Sequence, residues 1–280
     1  MKKIFSLLFT FAFALFLSAS SALAPGLGTN AYAGNLSIVK SNNMVGVGYL
    51  YTAQHYAEHI SNMPSDSETG HASGIKLFVS AMRNIGPVSN VYGYVDYYRS
   101  AGASSYSYPG TSGATSGLVL SGYSLRAGKG FDITDNVIVT PYLNYGYREW
   151  SRVIGEGIPG SYQELYQYSD YGIGVIGEYT PINKLVLKGR VQVDTMIGNK
   201  LNVYSLPGGF DGDIPLTLGK KPVYTFSVGA DYSVGYHVSV FGNLSLLKTS
   251  FGQSSPNDGI YEPNSDTTDL GLNIGVGYNF

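Results

Sequence analysis

No cysteine occurs among the 280 residues, which excludes a disulfide framework, thiol chemistry and a lipid-modified cysteine anchor. Charge is scarce as well. Seventeen Lys and Arg face nineteen Asp and Glu, and a net charge of −2 leaves no electrostatic footprint for nucleic acid or acidic lipid. Long apolar runs are missing beyond the first residues. There, Lys2 and Lys3 precede an apolar stretch from Ile4 to Leu17, and small residues follow from Ser18 to Ala24. This is the pattern of an export signal, and the stretch is shorter than the ~18 residues of a spanning helix. Ala22-Leu23-Ala24 and Ala31-Tyr32-Ala33 both suit cleavage. The expected division is therefore a signal peptide over 1–24, or one ending as late as 33, and a single domain over 34–280. Any membrane crossing then falls to strands.

Glycine and tyrosine are plentiful, at 37 and 25 residues, and they sit in an alternating pattern. In the last segment Leu270, Leu272, Ile274, Val276, Tyr278 and Phe280 share one face, while Asp269, Gly271, Asn273, Gly275, Gly277 and Asn279 share the other. Period two is the strand signature. Ten such segments are legible: 44–55, 73–83, 90–100, 117–129, 137–150, 168–180, 185–197, 223–233, 237–249 and 268–280. Most exceed the ~9–11 residues with which a tilted strand crosses hydrocarbon. Short turns such as Asn84-Ile85-Gly86-Pro87 and Pro181-Ile182-Asn183-Lys184 alternate with long Gly/Ser/Pro-rich links such as Ser100–Ser116. The expected fold is an all-β transmembrane antiparallel barrel of about ten strands, within a range of eight to twelve, with short periplasmic turns and long extracellular loops.

Two belts of outward aromatics agree with that register. Tyr51, Tyr97, Tyr147, Tyr171 and Tyr224 lie near the long-loop ends, with Tyr179, Tyr232, Tyr278 and Phe280 near the short-turn ends. The inward register carries Lys76, Arg126, Arg148, Lys188 and Arg190 against Asp96, Asp170, Glu178, Asp194, Asp231 and Asp269. Near-balanced signs suit a paired network across the lumen, with Glu178 and Lys188 as neighbours over one hairpin. Eight strands enclose a space just filled by side chains, so ten lie near the filled end and a plugged lumen is favoured over a narrow pore.

The ending Gly275-Val276-Gly277-Tyr278-Asn279-Phe280 resembles the closing strand of Gram-negative outer-membrane barrels, and Val139 to Tyr147 resembles strands of small porin-like and opacity-type members. The resemblance implies residence in the outer membrane among its lipids. It also implies recognition of Phe280, Tyr278 and Val276 by the barrel-assembly machinery. It carries over no functional residue.

Chemistry-bearing motifs are few. His55-Tyr56-Ala57-Glu58-His59 matches the H-x-x-E-H pattern of inverted zinc peptidases, which needs both histidines on one helix face. A helix there would have to form in the first external loop, where Asp66, Glu68 and His71 are further ligand candidates. An incidental cluster in a solvated loop is favoured over a metal site, so His55, Glu58 and His59 stand only as weak metal candidates. Gly172-Ile173-Gly174-Val175-Ile176-Gly177 spells a dinucleotide fingerprint but lies inside a strand with no following helix, and its glycines spare lumen space instead. The ten-stranded omptin proteases match the strand number, yet no Asp-x-His occurs, no Asp-x-Asp lies within the strand segments as read, and His237 falls at the periplasmic end. The lipid A deacylases use an outward His–Ser pair facing the outer leaflet, and no outward histidine is expected within a strand. The expectation is a non-enzymatic outer-membrane protein with a structural or surface-interaction role, no cofactor and no nucleic-acid partner. A small diffusion pore is the alternative, and a loop-based hydrolase a less favoured third.

Overall fold

The computed structural model describes residues 33–60, 66–108, 111–155, 161–206, 212–257 and 259–280. The expected signal peptide lies outside them. Helix α1 (Ala33–Ser41) leads into twelve strands. Ten are staves of a barrel: β1 (Met44–His59), β2 (Ser67–Ile85), β3 (Val88–Tyr108), β4 (Thr111–Lys129), β6 (Val137–Ile154), β7 (Tyr162–Ile182), β8 (Leu185–Ser205), β10 (Pro222–Ser233), β11 (Val238–Phe251) and β12 (Asn264–Asn279). Two short strands extend the sheet, β5 (Phe131–Thr134) beside the base of β6 and β9 (Ile214–Thr217) beside the top of β8.

Each stave pairs antiparallel with its neighbours, and two pairings close the ring. The first and last staves run together from Met44–Asn279 to His59–Asn264, and β8 meets β10 from Thr195–Pro222 to Leu185–Tyr232. Closure gives every stave two partners, so that within the belt the ring has no open sheet edge, which is what a lipid environment demands of strands.

The strands outrun the segments legible in sequence. Staves β3, β7 and β8 have 21 residues each, about twice the ~9–11 needed to cross hydrocarbon. Ser100–Ser116, which reads as loop, consists mostly of the arms of one hairpin, with β3 reaching Tyr108 and β4 starting at Thr111. Ser, Gly and Ala have poor strand propensity, but laddering overrides it, on both sides of the β3 arm up to Ser107 and on the β3 side of the β4 arm.

Outward positions form an apolar belt. Leu143 and Ile173 are each 66% exposed and Val228 62%, values that a water-facing β domain would not repeat around its whole girth. Tyr51, Tyr171 and Tyr224 rim this belt towards the long-loop end, and Tyr179, Tyr232, Tyr278 and Phe280 rim it towards the short turns. Inside, a small core of Ile38, Met82, Tyr92, Ile138, Tyr142, Ile176 and Val186 closes the short-turn end. Gly174 is required there, because a Cβ at that position would collide with the Tyr142 ring. A larger core, built on Trp150, Tyr166, Leu118, Leu201 and Phe251, fills the long-loop half.

Lipid-facing polarity should be costly at mid-belt. Val191→Arg or Ile274→Arg is expected to cost about 2–4 kcal/mol and to reduce the heat-modifiable band of folded barrel on unboiled gels. Gln192→Arg, which points inward beside Asp194, should retain more of that band.

Candidate functional site

The lumen is the candidate site, and it is stratified. At the short-turn end α1 lies across the mouth. Asn42 donates to Glu178 at 2.8 and 2.9 Å, Asn35 donates to Asp132 at 2.8 Å, and Ser41 donates to Asp231. Asn43 exchanges bonds with the Met82 backbone, while Asn279 donates to the Lys40 carbonyl. Asn42 and Asn43 also satisfy the last turn of α1 by bonding Ile38 and Val39 carbonyls, so one polar pair both ends the helix and ties it to the barrel.

Above the helix lies the inward charge network. Lys188 Nζ sits 3.2 Å from its cross-strand partner Glu178 and 2.9 Å from Asp231. Lys76 Nζ is 2.6 Å from Asp96, with Arg126 3.8 Å from the same carboxylate. Arg148 Nε donates to Asp170 at 3.0 Å. Asp194 is held by Asn144 and Gln192 instead of a cation, Arg190 donates to Ser227, and Asp269 lines a cavity beside Arg148. The network thus breaks into separate groups instead of one continuous chain.

The long-loop half holds a cluster that sequence reasoning missed. Arg152 is 1% exposed. Its Nε and Nη1 donate to Glu164 and Glu68 at 2.6 and 2.7 Å, Glu58 lies 3.9 Å away, and the guanidinium stacks over Tyr56 at 4.4 Å. A fourth carboxyl, Glu262, accepts from Tyr166 at 2.7 Å. The Tyr56 hydroxyl lies 2.9 Å from Glu58 Oε1 and 2.8 Å from Glu262 Oε1. One hydroxyl proton serves one of these contacts, so the other requires a carboxyl that keeps its own proton and donates it. Burial, only partly offset by Arg152, accordingly pushes Glu58 up to about 7. Burial together with Glu164 pushes Glu262 up to about 8.

The metal candidates separate. His55, Glu58 and His59 lie on β1 itself, where alternation turns Glu58 into the lumen and both histidines outward. No helix forms, Asp66 and Glu68 also face inward, and no grouping able to hold a metal occurs among the described residues. The expectation that no outward histidine lies within a strand is also overturned. Outward histidines do lie within strands: His59 Nε2 is 2.9 Å from Asp266, His55 Nδ1 is 3.2 Å from Thr69, and His71 stacks on Tyr51. Ser250 donates to Asp266, so the carboxylate stands between Ser and His, whereas a His-activated serine needs the imidazole in the middle. His237, at the short-turn end, contacts the Asn279 carbonyl.

No protein-family model matches this chain, and no curated protein matches it in sequence. Among solved structures, the outer-membrane protease OmpT from Escherichia coli is similar at a TM-score of 0.59 and 13% identity, over 85% of this chain and 95% of that one. The fold is that of an outer-membrane β-barrel. At this identity the likeness is one of architecture. The translocator domain of the autotransporter NalP from Neisseria meningitidis covers 90% of this chain and all of its own at 12% identity and a TM-score of 0.41. The attachment invasion locus protein Ail from Yersinia pestis aligns at 11% identity and a TM-score of 0.28, over 85% of this chain and 99% of its own.

The protonated carboxyls make the long-loop half sensitive to alkali. Both groups are raised above the ordinary carboxylate value of ~4.3. The folded state therefore binds more protons, and the associated stability is full below that value and lost as pH rises through about 7 and 8. Hydrogen exchange in the upper staves should accelerate between pH 6 and 9, after correction for intrinsic exchange rates, and Glu262→Gln should flatten the dependence. A flat wild-type profile would contradict the protonation.

Proposed function

We propose that the chain resides in a Gram-negative outer membrane as a non-enzymatic barrel, closed to through-diffusion, that works through the surface its long-loop half presents. The observation that carries this reading is closure at two levels: α1 bonded across one mouth, and the Arg152 cluster within an aromatic core below the other. Substrate flow would have to cross both. A scaffold of tall hairpins rising past the apolar belt holds polar side chains outward in fixed positions, including His55, His59, Arg99 and Lys248, which suits recognition better than idle loops would. Orientation in the membrane follows from the resemblance, with short turns facing the periplasm and long loops facing outward. The outer-membrane lipids and, through Phe280, Tyr278 and Val276, the assembly machinery are its expected partners.

A small pore remains the second reading, favoured by the cavities along the charge network, of about 120 and 130 Å³. Planar-bilayer recording of the refolded chain separates the two. Silence, with folding verified by heat-modifiable mobility, is expected. Steady openings whose selectivity changes on replacing Arg190 or Asp194 would instead establish a pore.

A further inference from the structure

The inward charges balance as a set but not in space. Two cavities lie one above the other in the middle of the barrel, of about 120 and 130 Å³, where one water needs about 10–15 Å³ by the same measure. Among the described residues three line both, and all are cations: Lys76, Arg126 and Arg190. Among the described residues Asp96 is the one carboxylate within ion-pair distance of any of them, at 2.6 Å from Lys76 and 3.8 Å from Arg126. Among the described residues no carboxylate lies within 4.0 Å of Arg190, whose one hydrogen bond goes to the Ser227 hydroxyl at 3.2 Å. Arg126 is nine-tenths buried, and its Nε has no partner. Its bond to Ser124 is long, at 3.4 Å, and its faces are covered by Tyr94 and Tyr142.

A guanidinium held among aromatic rings with an idle N–H and an under-neutralised neighbour is costly unless a counter-charge occupies the space between them. Guanidinium forks match planar or tetrahedral oxygens in pairs, which a point charge such as chloride does not exploit. We infer that the waist between the two cavities, formed by Lys76, Arg126 and Arg190, is a binding site for a small oxyanion of the phosphate type. Three of the acids nearby are already engaged elsewhere. Glu178 and Asp231 share Lys188, and Asp170 binds Arg148; Asp269 lines the upper cavity without an ion pair, beyond 4.0 Å from all three waist cations.

The two ways out differ. Towards the long loops the lumen passes Leu120, Leu247 and Tyr98 into the aromatic core. Towards the short turns it passes Asp231 and Ser41 into a cavity of about 380 Å³ flanked by Lys40 and Lys184. The short-turn exit is thus the one that offers an anion donors, from Ser41, Lys40 and Lys184. This assignment goes beyond the surface role proposed above and stands whether or not that role does.

Equilibrium dialysis of the refolded chain against labelled inorganic phosphate, in an uncharged detergent free of phosphate headgroups, tests it. Saturable binding near one per chain is expected. Arg190→Gln and Arg126→Gln should each weaken it about tenfold or more, the loss of one charge-assisted hydrogen bond. Arg99→Gln, on the outer face, should leave it unchanged. Arg190 makes a single hydroxyl contact, so its variant should keep the heat-modifiable band even if the Arg126 variant does not. Absence of saturable binding to the folded wild type, or binding unaltered in the folded Arg190 variant, would overturn the site. Displacement by chloride mole for mole would overturn the oxyanion assignment.

Discussion

Ring closure of the backbone ladder is the constraint on which everything else rests. Once β8 pairs with β10 and β1 with β12, each residue has one of two fates, outward or inward, and its neighbour has the other. A slip of one residue in any stave would exchange its lipid face for its lumen face. The belt of exposed Val, Leu and Ile and the buried polar residues such as Gln192, Asp194 and Asp170 are thus two readings of one register. Lipid fixes the outward set through desolvation, and the lumen must then accommodate whatever remains.

The lumen does so in two different ways at its two heights. Within the belt it uses short-range pairing, with carboxylates placed beside Lys or Arg and with Asn42 and Ser41 of the N-terminal segment supplying further donors. Above the belt it uses packing. Trp150 stacks on Tyr166 with centroids 4.4 Å apart, and Arg152 is sandwiched among rings while holding two carboxylates directly. A buried guanidinium with several acidic neighbours is tolerable because at least one of those acids stays neutral, which turns a repulsive cluster into a hydrogen-bonded one. Closure of the upper lumen is therefore both apolar and electrostatic, whereas the middle retains space and positive charge.

Much of this was legible from residue order alone. The ten staves, their register, the two aromatic rims and the inward charges all follow from period two and from turn residues such as Asn183-Lys184. The upper cluster is hidden because segments 44–55, 137–150 and 168–180 stop short of the staves that contain them. Continuing the same parity along β6 from Arg148 through Trp150 reaches Arg152, and along β1 it reaches Tyr56 and Glu58. The same continuation along β7 reaches Tyr166 and Glu164, so the upper cluster was encoded by a rule already in use. It would also have placed His55 and His59 outward and apart from Glu58, removing the metal candidate. Helix α1 had no comparable signal. Its nine residues and the Asn42 that follows are held by tertiary partners such as Asp132, Asp231 and Glu178, which no local pattern reveals.

The proposed function requires the lumen to be sealed at its long-loop end by Arg152 and the rings around it. Because the chain lacks cysteine, a single introduced thiol reports on this directly. Ser245 lines the upper cavity below the seal, and Thr69 is exposed on the outer face. A polar thiol reagent added on the long-loop side should modify Thr69→Cys rapidly and leave Ser245→Cys unmodified until Arg152 is also replaced by Ala. Modification of Ser245→Cys as fast as Thr69→Cys with Arg152 intact would contradict the seal.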